Sequence, residues 1–517
     1  MLRSMKLFPE IVFAPILIVL FLITRFYNLM SLPIFTDEAI YTRWAQIARF
    51  DPNWRFISLT DGKQPSFIWA DMIIMKFFSD PLMAGRVVSI FAGLVTIIGI
   101  YFLTYELFKN HKNIKAARIM GVISATILVF FPFSLVYDRM ALYDSLVAAF
   151  FVWTLFFQVL LVRRIRFDIA MILGFVLGGA VLTKSSGFLS MAMTPFLLVL
   201  FDFRKKDLKG RLIKFLVYSL VGVGIAYGMY SILRLSPFYH IISEKNSVFI
   251  YPVSEWMKFL FWDKIHNFQS NTMGLWDWFF TYFTIPYAVL VVASFFLTIR
   301  FAREKVILLL WFILPFLVPA IFGKTLYPRY ILFMVMPLIP LVSLSLYTLF
   351  EKFKNKIIRV AIIFVVLLIP LRMDYYILTD FARAPIPRLD LEQYVNGWPA
   401  GGGVRESVEF FKEQAENGPI YIATQGTFGL MPASYEIYLI QNHRITIKGF
   451  WPTNEKIDEE VALAALKMPT YFVFYQDCAL CGFPGKAPLT WPLKEISTYK
   501  KGIGNTKLTV YQVIPSK

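Results

Sequence analysis

Charge is scarce in this chain. Of its 517 residues only 17% are Asp, Glu, Lys or Arg, whereas 57% are hydrophobic and 18% aromatic. An ordinary soluble domain cannot cover its surface with so few charges, and a mean hydropathy of +0.60 points to an integral membrane protein. Cysteine is scarcer still: two residues exclude a disulfide scaffold, and 53 Phe, which must be buried in protein or lipid, exclude disorder. The chain also lacks the apolar–polar alternation of a membrane β-barrel, running unbroken instead through 11–24, 307–322 and 362–369. There is no fixed-period repeat and no low-complexity tract. The N-terminal apolar segment lacks a small-residue cleavage site, so it is expected to persist as a first span.

The net charge of +18 is unevenly placed. From Asp374 onward there are 14 Lys/Arg against 15 Asp/Glu, so the first 373 residues hold 38 against 19. This excess falls in short runs between apolar stretches, as in the cytoplasmic loops of membrane proteins, and argues against a nucleic-acid role. Eleven apolar segments of spanning length can be read at 8–25, 85–107, 119–136, 142–162, 168–183, 186–203, 214–234, 280–299, 306–322, 330–350 and 357–376. Basic loops follow the even-numbered ones, for example Arg163, Arg164 and Arg166 after the fourth. The positive-inside rule then predicts a multi-pass protein of the cytoplasmic (inner) membrane with its N-terminus inside and its C-terminal region outside. Two long segments, 26–84 and 235–279, are expected on the outside. The first contains a helical stretch, Asp37 to Arg49, whose Tyr41, Trp44, Ala45 and Ala48 share a face suited to the interface.

After about residue 378 the charge balances, and apolar strands alternate with helical stretches. Helices are predicted at 404–416, 428–441 and 455–466, and strands at 419–424, 444–449, 470–475 and 507–514. The expected organisation is a membrane core over 1–377 and an extracytoplasmic α/β domain over 378–517.

Ionisable residues near the ends of spans are costly beside lipid and mark candidate functional positions. On this topology Asp37, Glu38, Lys63, Arg86, Asp138, Arg139, Asp144, Lys184, Lys324 and Arg329 all face one compartment. Singly, Arg86 or Lys324 reads as an interfacial anchor or a structural pair; together the set implies a shared polar cavity. In the adjacent pair Asp37-Glu38, one carboxylate could act as a base while a cation such as Lys63 or Arg139 neutralises the other. His240 and His266 have no metal-ligand spacing, so a divalent metal is optional and no cofactor is required. Cys478-Ala-Leu-Cys481 reads as a loop disulfide or two idle thiols. The Gly401-Gly402-Gly403 stretch reads as a helix-entry turn more readily than a phosphate cradle.

Four segments, in order, carry a resemblance: Phe35-Thr-Asp37-Glu38-Ala-Ile-Tyr41, Asp61-Gly-Lys63-Gln-Pro65-Ser-Phe-Ile-Trp69, Asp138-Arg139-Met-Ala-Leu-Tyr-Asp144 and Leu182-Thr-Lys184-Ser-Ser-Gly187. Over roughly 8–350 the chain resembles the membrane glycosyltransferases of the GT-C class, in particular the glycosyltransferase 39 group, which includes protein O-mannosyltransferases and the aminoarabinose transferases that modify lipid A. It departs from the latter at Ile40, where they tend to have Arg, and at Gln64, where they have Pro. The resemblance implies a GT-C-like core and transfer of a hexosyl or pentosyl group, with inversion, from a polyprenyl-phosphate-linked donor to a protein, lipid or glycan acceptor outside the membrane. It also implies that Asp37 is the catalytic base and that Lys63 contacts the donor phosphate. Glu38, Asp138, Arg139, Asp144, Lys184, Tyr327 and Arg329 are the further substrate-binding candidates, Arg329 as a donor or phosphate contact. The alternative is a membrane transporter or lipid flippase, for which charges at mid-membrane and Gly/Pro-broken inverted repeats would be expected.

Overall fold

The computed structural model describes residues 9–109, 113–453, 456–475 and 490–515. Cys478 and Cys481 lie outside them, as do Lys112 and the first eight residues. Each of the eleven expected apolar segments falls on helix. Six helical stretches are long and apolar enough to cross a membrane: Phe13–Ser31, Pro81–Phe108, Tyr143–Arg164, Leu208–Leu235, Ala302–Phe322 and Pro328–Lys352. Two bent pairs bring the number to eight: Ile114–Val129 with Pro132–Asp138, at 59°, and Phe261–Phe283 with Ile285–Leu297, at 96°. The fifth segment is the shorter helix Phe167–Thr183, and the sixth breaks into Gly187–Ala192 and the 3-10 turn Thr194–Leu200. The eighth reaches back to Phe261, because the polar face of this helix hides its continuation from a hydropathy reading.

Helix packing follows from side-chain size. Gly174 and Gly178, one turn apart on Phe167–Thr183, lie under Ile225 and Met229 of Leu208–Ser231, where a Cβ would collide with those side chains. Small residues spaced this way let two membrane helices approach closely. The basic loops gather at one end of the bundle: Glu106 pairs with Lys109, Arg163 and Arg164, Arg163 also pairs with Glu304, and Arg303 donates to the Phe201 carbonyl. Asp144 starts the helix that ends in Arg163 and Arg164, so the candidate site lies about 30 Å away, at the bundle's other end.

The C-terminal region forms a five-stranded sheet from β1 (Ile420–Gln425), β2 (Ile445–Phe450), β3 (Thr470–Phe474), β4 (Leu493–Lys500) and β5 (Lys507–Val513), in the order β2-β1-β3-β5-β4. β1 is parallel to β2 and β3; β5 is antiparallel to β3 and β4. Alternate residues of β1 bury opposite faces. Ile420 and Ile422 join the large core with helix Leu430–Leu439, while Tyr421 and Ala423 pack with Val461 of helix Glu459–Lys467. β4 is the strand the sequence reading lacks. It is a largely exposed edge without an apolar run.

The helix Thr36–Phe50 does not lie free on an interface. Its Tyr41, Trp44, Ala45 and Ala48 are buried, Gln46 donates to the Ile437 carbonyl, and Arg43 pairs with Glu436 at 2.7 Å, so the helix is clasped by Leu430–Leu439. The glycine-rich stretch has a similar structural use. Ala400 pairs with Phe35, Gly401 N–H donates to the Ile34 carbonyl at 2.7 Å, and Thr36 N–H donates to the Pro399 carbonyl.

Asp390 completes this junction. Its Oδ2 accepts from the hydroxyls of Tyr137 at 2.6 Å and Tyr282 at 2.5 Å. Burial pushes the Asp390 carboxyl up to about 6 against the opposing pull of those hydrogen bonds. Between the ordinary carboxylate value, about 4, and pH 6 the folded chain thus holds a proton that the unfolded chain releases. Its stability should rise on acidification through that window and lose this contribution as pH climbs through 6. Asp390→Asn removes the titration. The difference in thermal midpoint between wild type and variant should shift toward the wild type from pH 7.5 to pH 4.5; a constant difference would show the carboxyl ionised throughout.

Candidate active site

Helix Thr36–Phe50 begins with two acids, which its N-terminal dipole favours. Consecutive helical residues point about 100° apart, and the two carboxylates part company. Glu38 turns into the protein, where it is fully buried and accepts four hydrogen bonds: from Phe35 N–H, Ala141 N–H, and Nε and Nη2 of Arg86. Arg86 spends its remaining N–H groups on the carbonyls of Leu29, Leu32 and Pro33. This clamp fixes the loop and the first helical turn, and so aims Asp37 into a cavity of about 810 Å³.

Asp37 Oδ2 lies 2.9 Å from Nη2 of Arg329, and its Oδ1 lies 3.6 Å from Lys63 Nζ. Lys63 donates to the Tyr41 hydroxyl at 2.7 Å and sits 3.6 Å from Asp61, which Lys245 approaches to 2.6 Å. Across the cavity Lys184 pairs with Asp144 at 2.8 Å and lies over the Tyr330 ring; Arg329 lies over Tyr327. The lining thus carries four cations, Lys63, Lys184, Lys245 and Arg329, against three acids, Asp37, Asp61 and Asp144. Beside the charges are Phe188, Leu189, Val318, Phe333 and Met334, an apolar wall continuous with the spans.

Burial alone would raise the Asp37 carboxyl, but Lys63 and then Arg329 outweigh it and hold the group at about 2. It is therefore ionised at any physiological pH. Burial lowers Lys63 from the usual lysine range, opposed by Asp37 and Asp61.

Of the expected residues, Asp37, Lys63, Asp144, Lys184, Tyr327 and Arg329 meet in this cavity. Glu38, Asp138 and Arg139 do not line it. Asp138 is buried against Arg25 at 3.2 Å and accepts from Ser145; Arg139 donates to the Asn28 carbonyl. Arg86 proves to be the structural partner of Glu38, and Lys324 lies over the Tyr251 ring. His240 is exposed beside the Pro237 carbonyl, and among the described residues no group of three or more His, Cys, Asp or Glu could hold a metal ion. Sequence reasoning missed Lys245, whose only signal was its place in a long polar segment. It also missed a cavity wall from the C-terminal region: Gln393, Trp398, Pro399, Phe428 and Gly429.

Residues 63–229 match the family described as dolichyl-phosphate-mannose-protein mannosyltransferase. In structure the chain is similar to ArnT from Cupriavidus metallidurans in the apo state, with a TM-score of 0.55 at 14% identity over 97% of each chain. The chain has a GT-C fold. The same core is shared with ArnT bound to undecaprenyl phosphate (TM-score 0.55, 15% identity, 97% of each chain). It is shared too with the archaeal oligosaccharyltransferase AglB from Archaeoglobus fulgidus in complex with an inhibitory peptide and a dolichol-phosphate (0.52, 15%, 95% of this chain and 73% of that one). No curated protein matches this chain by sequence.

Proposed function

We propose that this chain transfers a sugar from a polyprenyl-phosphate-linked donor to an acceptor hydroxyl on the non-cytoplasmic face of the membrane, with inversion. The observation that carries the reading is the pairing, in one cavity, of an excess of fixed cations around Asp37 with an apolar wall reaching into the spans. A phosphate with a lipid tail needs both. The likeness in fold to ArnT bound to undecaprenyl phosphate and to AglB in complex with a dolichol-phosphate supports it.

In the proposed step the acceptor oxygen attacks the anomeric carbon, the bond from that carbon to the phosphate oxygen breaks, and Asp37 takes the hydroxyl proton. The leaving polyprenyl phosphate gains negative charge, which Lys63 and Arg329 stabilise in a site shielded from water. Those two cations are also what depresses Asp37. Donor phosphate draws them away, so the carboxylate becomes a stronger base when the substrate is in place.

Lys63→Ala should weaken donor binding and also slow turnover, because a phosphate contact acts in the ground state and strengthens as charge develops. Equilibrium binding of polyprenyl phosphate to the purified protein, with single-turnover release of sugar, separates the two. Wild-type values for both would remove Lys63 from the site.

A further inference from the structure

A second cavity, of about 310 Å³, opens at the carboxyl ends of β1 and β2. The chain leaves these neighbouring parallel strands for helices on opposite faces of the sheet, so the two outgoing loops part and leave a cleft between them. Its lining narrows the choice of ligand. The helix Glu459–Lys467 opens toward it with Asp458 capping its own first turn at 3.0 Å and with Glu459 and Glu460 in that turn, so the end that would attract an anion is already filled with carboxylates. Lys448 pairs with Glu460, which also accepts from the Tyr421 hydroxyl at 2.8 Å. Trp451, 39% exposed, and the buried Trp491 supply aromatic surface. Lys448 and Lys456 stand against Asp458 and Glu460, so the lining carries no net charge; this balance beside an exposed indole suits a neutral, polyhydroxylated ring, whose C–H face lies on the indole while its hydroxyls bond the carboxylate and ammonium groups.

One loop divides this cleft from the first cavity. Thr427 lines the cleft, and the next two residues, Phe428 and Gly429, line the cavity that holds Asp37. We propose that the cleft is a saccharide subsite that holds a neutral glycan portion of the acceptor beside the transfer site. That role in acceptor binding rests on the glycosyl-transfer reading of the first cavity; the saccharide chemistry of the cleft does not.

The test is binding without donor. The full-length protein in lipid nanodiscs, free of glycoside detergents, is titrated with maltotetraose, mannotetraose and chitotetraose, and binding is read by saturation-transfer NMR. At least one should bind. Trp451→Ala should weaken it about tenfold or more, Trp451→Phe much less, Glu460→Gln measurably, and Asp37→Asn not at all. Binding of none of the three, wild-type affinity in Trp451→Ala, or displacement by equimolar inorganic phosphate would overturn the proposal. Because no sugar is transferred in the assay, a failure of donor cleavage leaves this outcome untouched.

Discussion

Asp37→Asn is expected to lower sugar transfer by about 10²–10⁴-fold, the usual worth of a general base, while donor binding stays within a few-fold of wild type. The amide is nearly isosteric with the carboxylate yet cannot take the acceptor proton. Removing its negative charge also frees Lys63 and Arg329, which lie 3.6 and 2.9 Å away, for the donor phosphate, so affinity for polyprenyl phosphate should hold or rise. That opposition of tighter binding and lost turnover is the signature sought in a binding titration paired with single-turnover kinetics. Equal loss of both would make Asp37 a structural anchor for the cations; full activity would remove the catalytic assignment.

Glu38, its neighbour, should fail in a different way. Glu38→Leu leaves the fully buried Arg86 guanidinium without its carboxylate and orphans the N–H groups of Phe35 and Ala141. Breaking a buried pair by removing one partner typically costs about 3–5 kcal/mol, so the variant should show a markedly lower thermal midpoint in nanodiscs and a poor yield of folded protein. Pairing it with Arg86→Leu should recover part of the loss, since the double change leaves no lone buried charge. An unshifted midpoint in Glu38→Leu would mean that the clamp does not hold the first turn of the helix.

The contrast between these adjacent acids shows where the sequence was legible. The helix Val404–Glu416 and strands β1, β2, β3 and β5 were read to within a residue or so, because each couples a regular apolar period to turn chemistry. β4, exposed and charged at the sheet edge, offered no such period. Asp37, Lys63, Asp144, Lys184 and Arg329 stand out in the sequence because charge at the end of an apolar helix is conspicuous, and with Tyr327 they line one cavity. Glu38, Asp138 and Arg139 were grouped with them because they are neighbours along the chain, whereas the helix turns Glu38 inward and Asp138 finds Arg25, 113 residues away. Lys245, 184 residues from its partner Asp61, and the wall of Trp398 and Phe428 depend on tertiary packing that no local pattern encodes. The junction at Asp390 is of the same kind.

The cavity is expected to hold and cleave a lipid-linked sugar. Purified protein should be incubated with a panel of polyprenyl-phosphate sugars and, in parallel, with nucleotide sugars, and the products weighed by mass spectrometry. Release of polyprenyl monophosphate from at least one lipid donor, lost in Asp37→Asn, with the nucleotide sugars untouched, is the predicted result. Lipid donors recovered intact under every condition, or sugar drawn from a nucleotide, would contradict it.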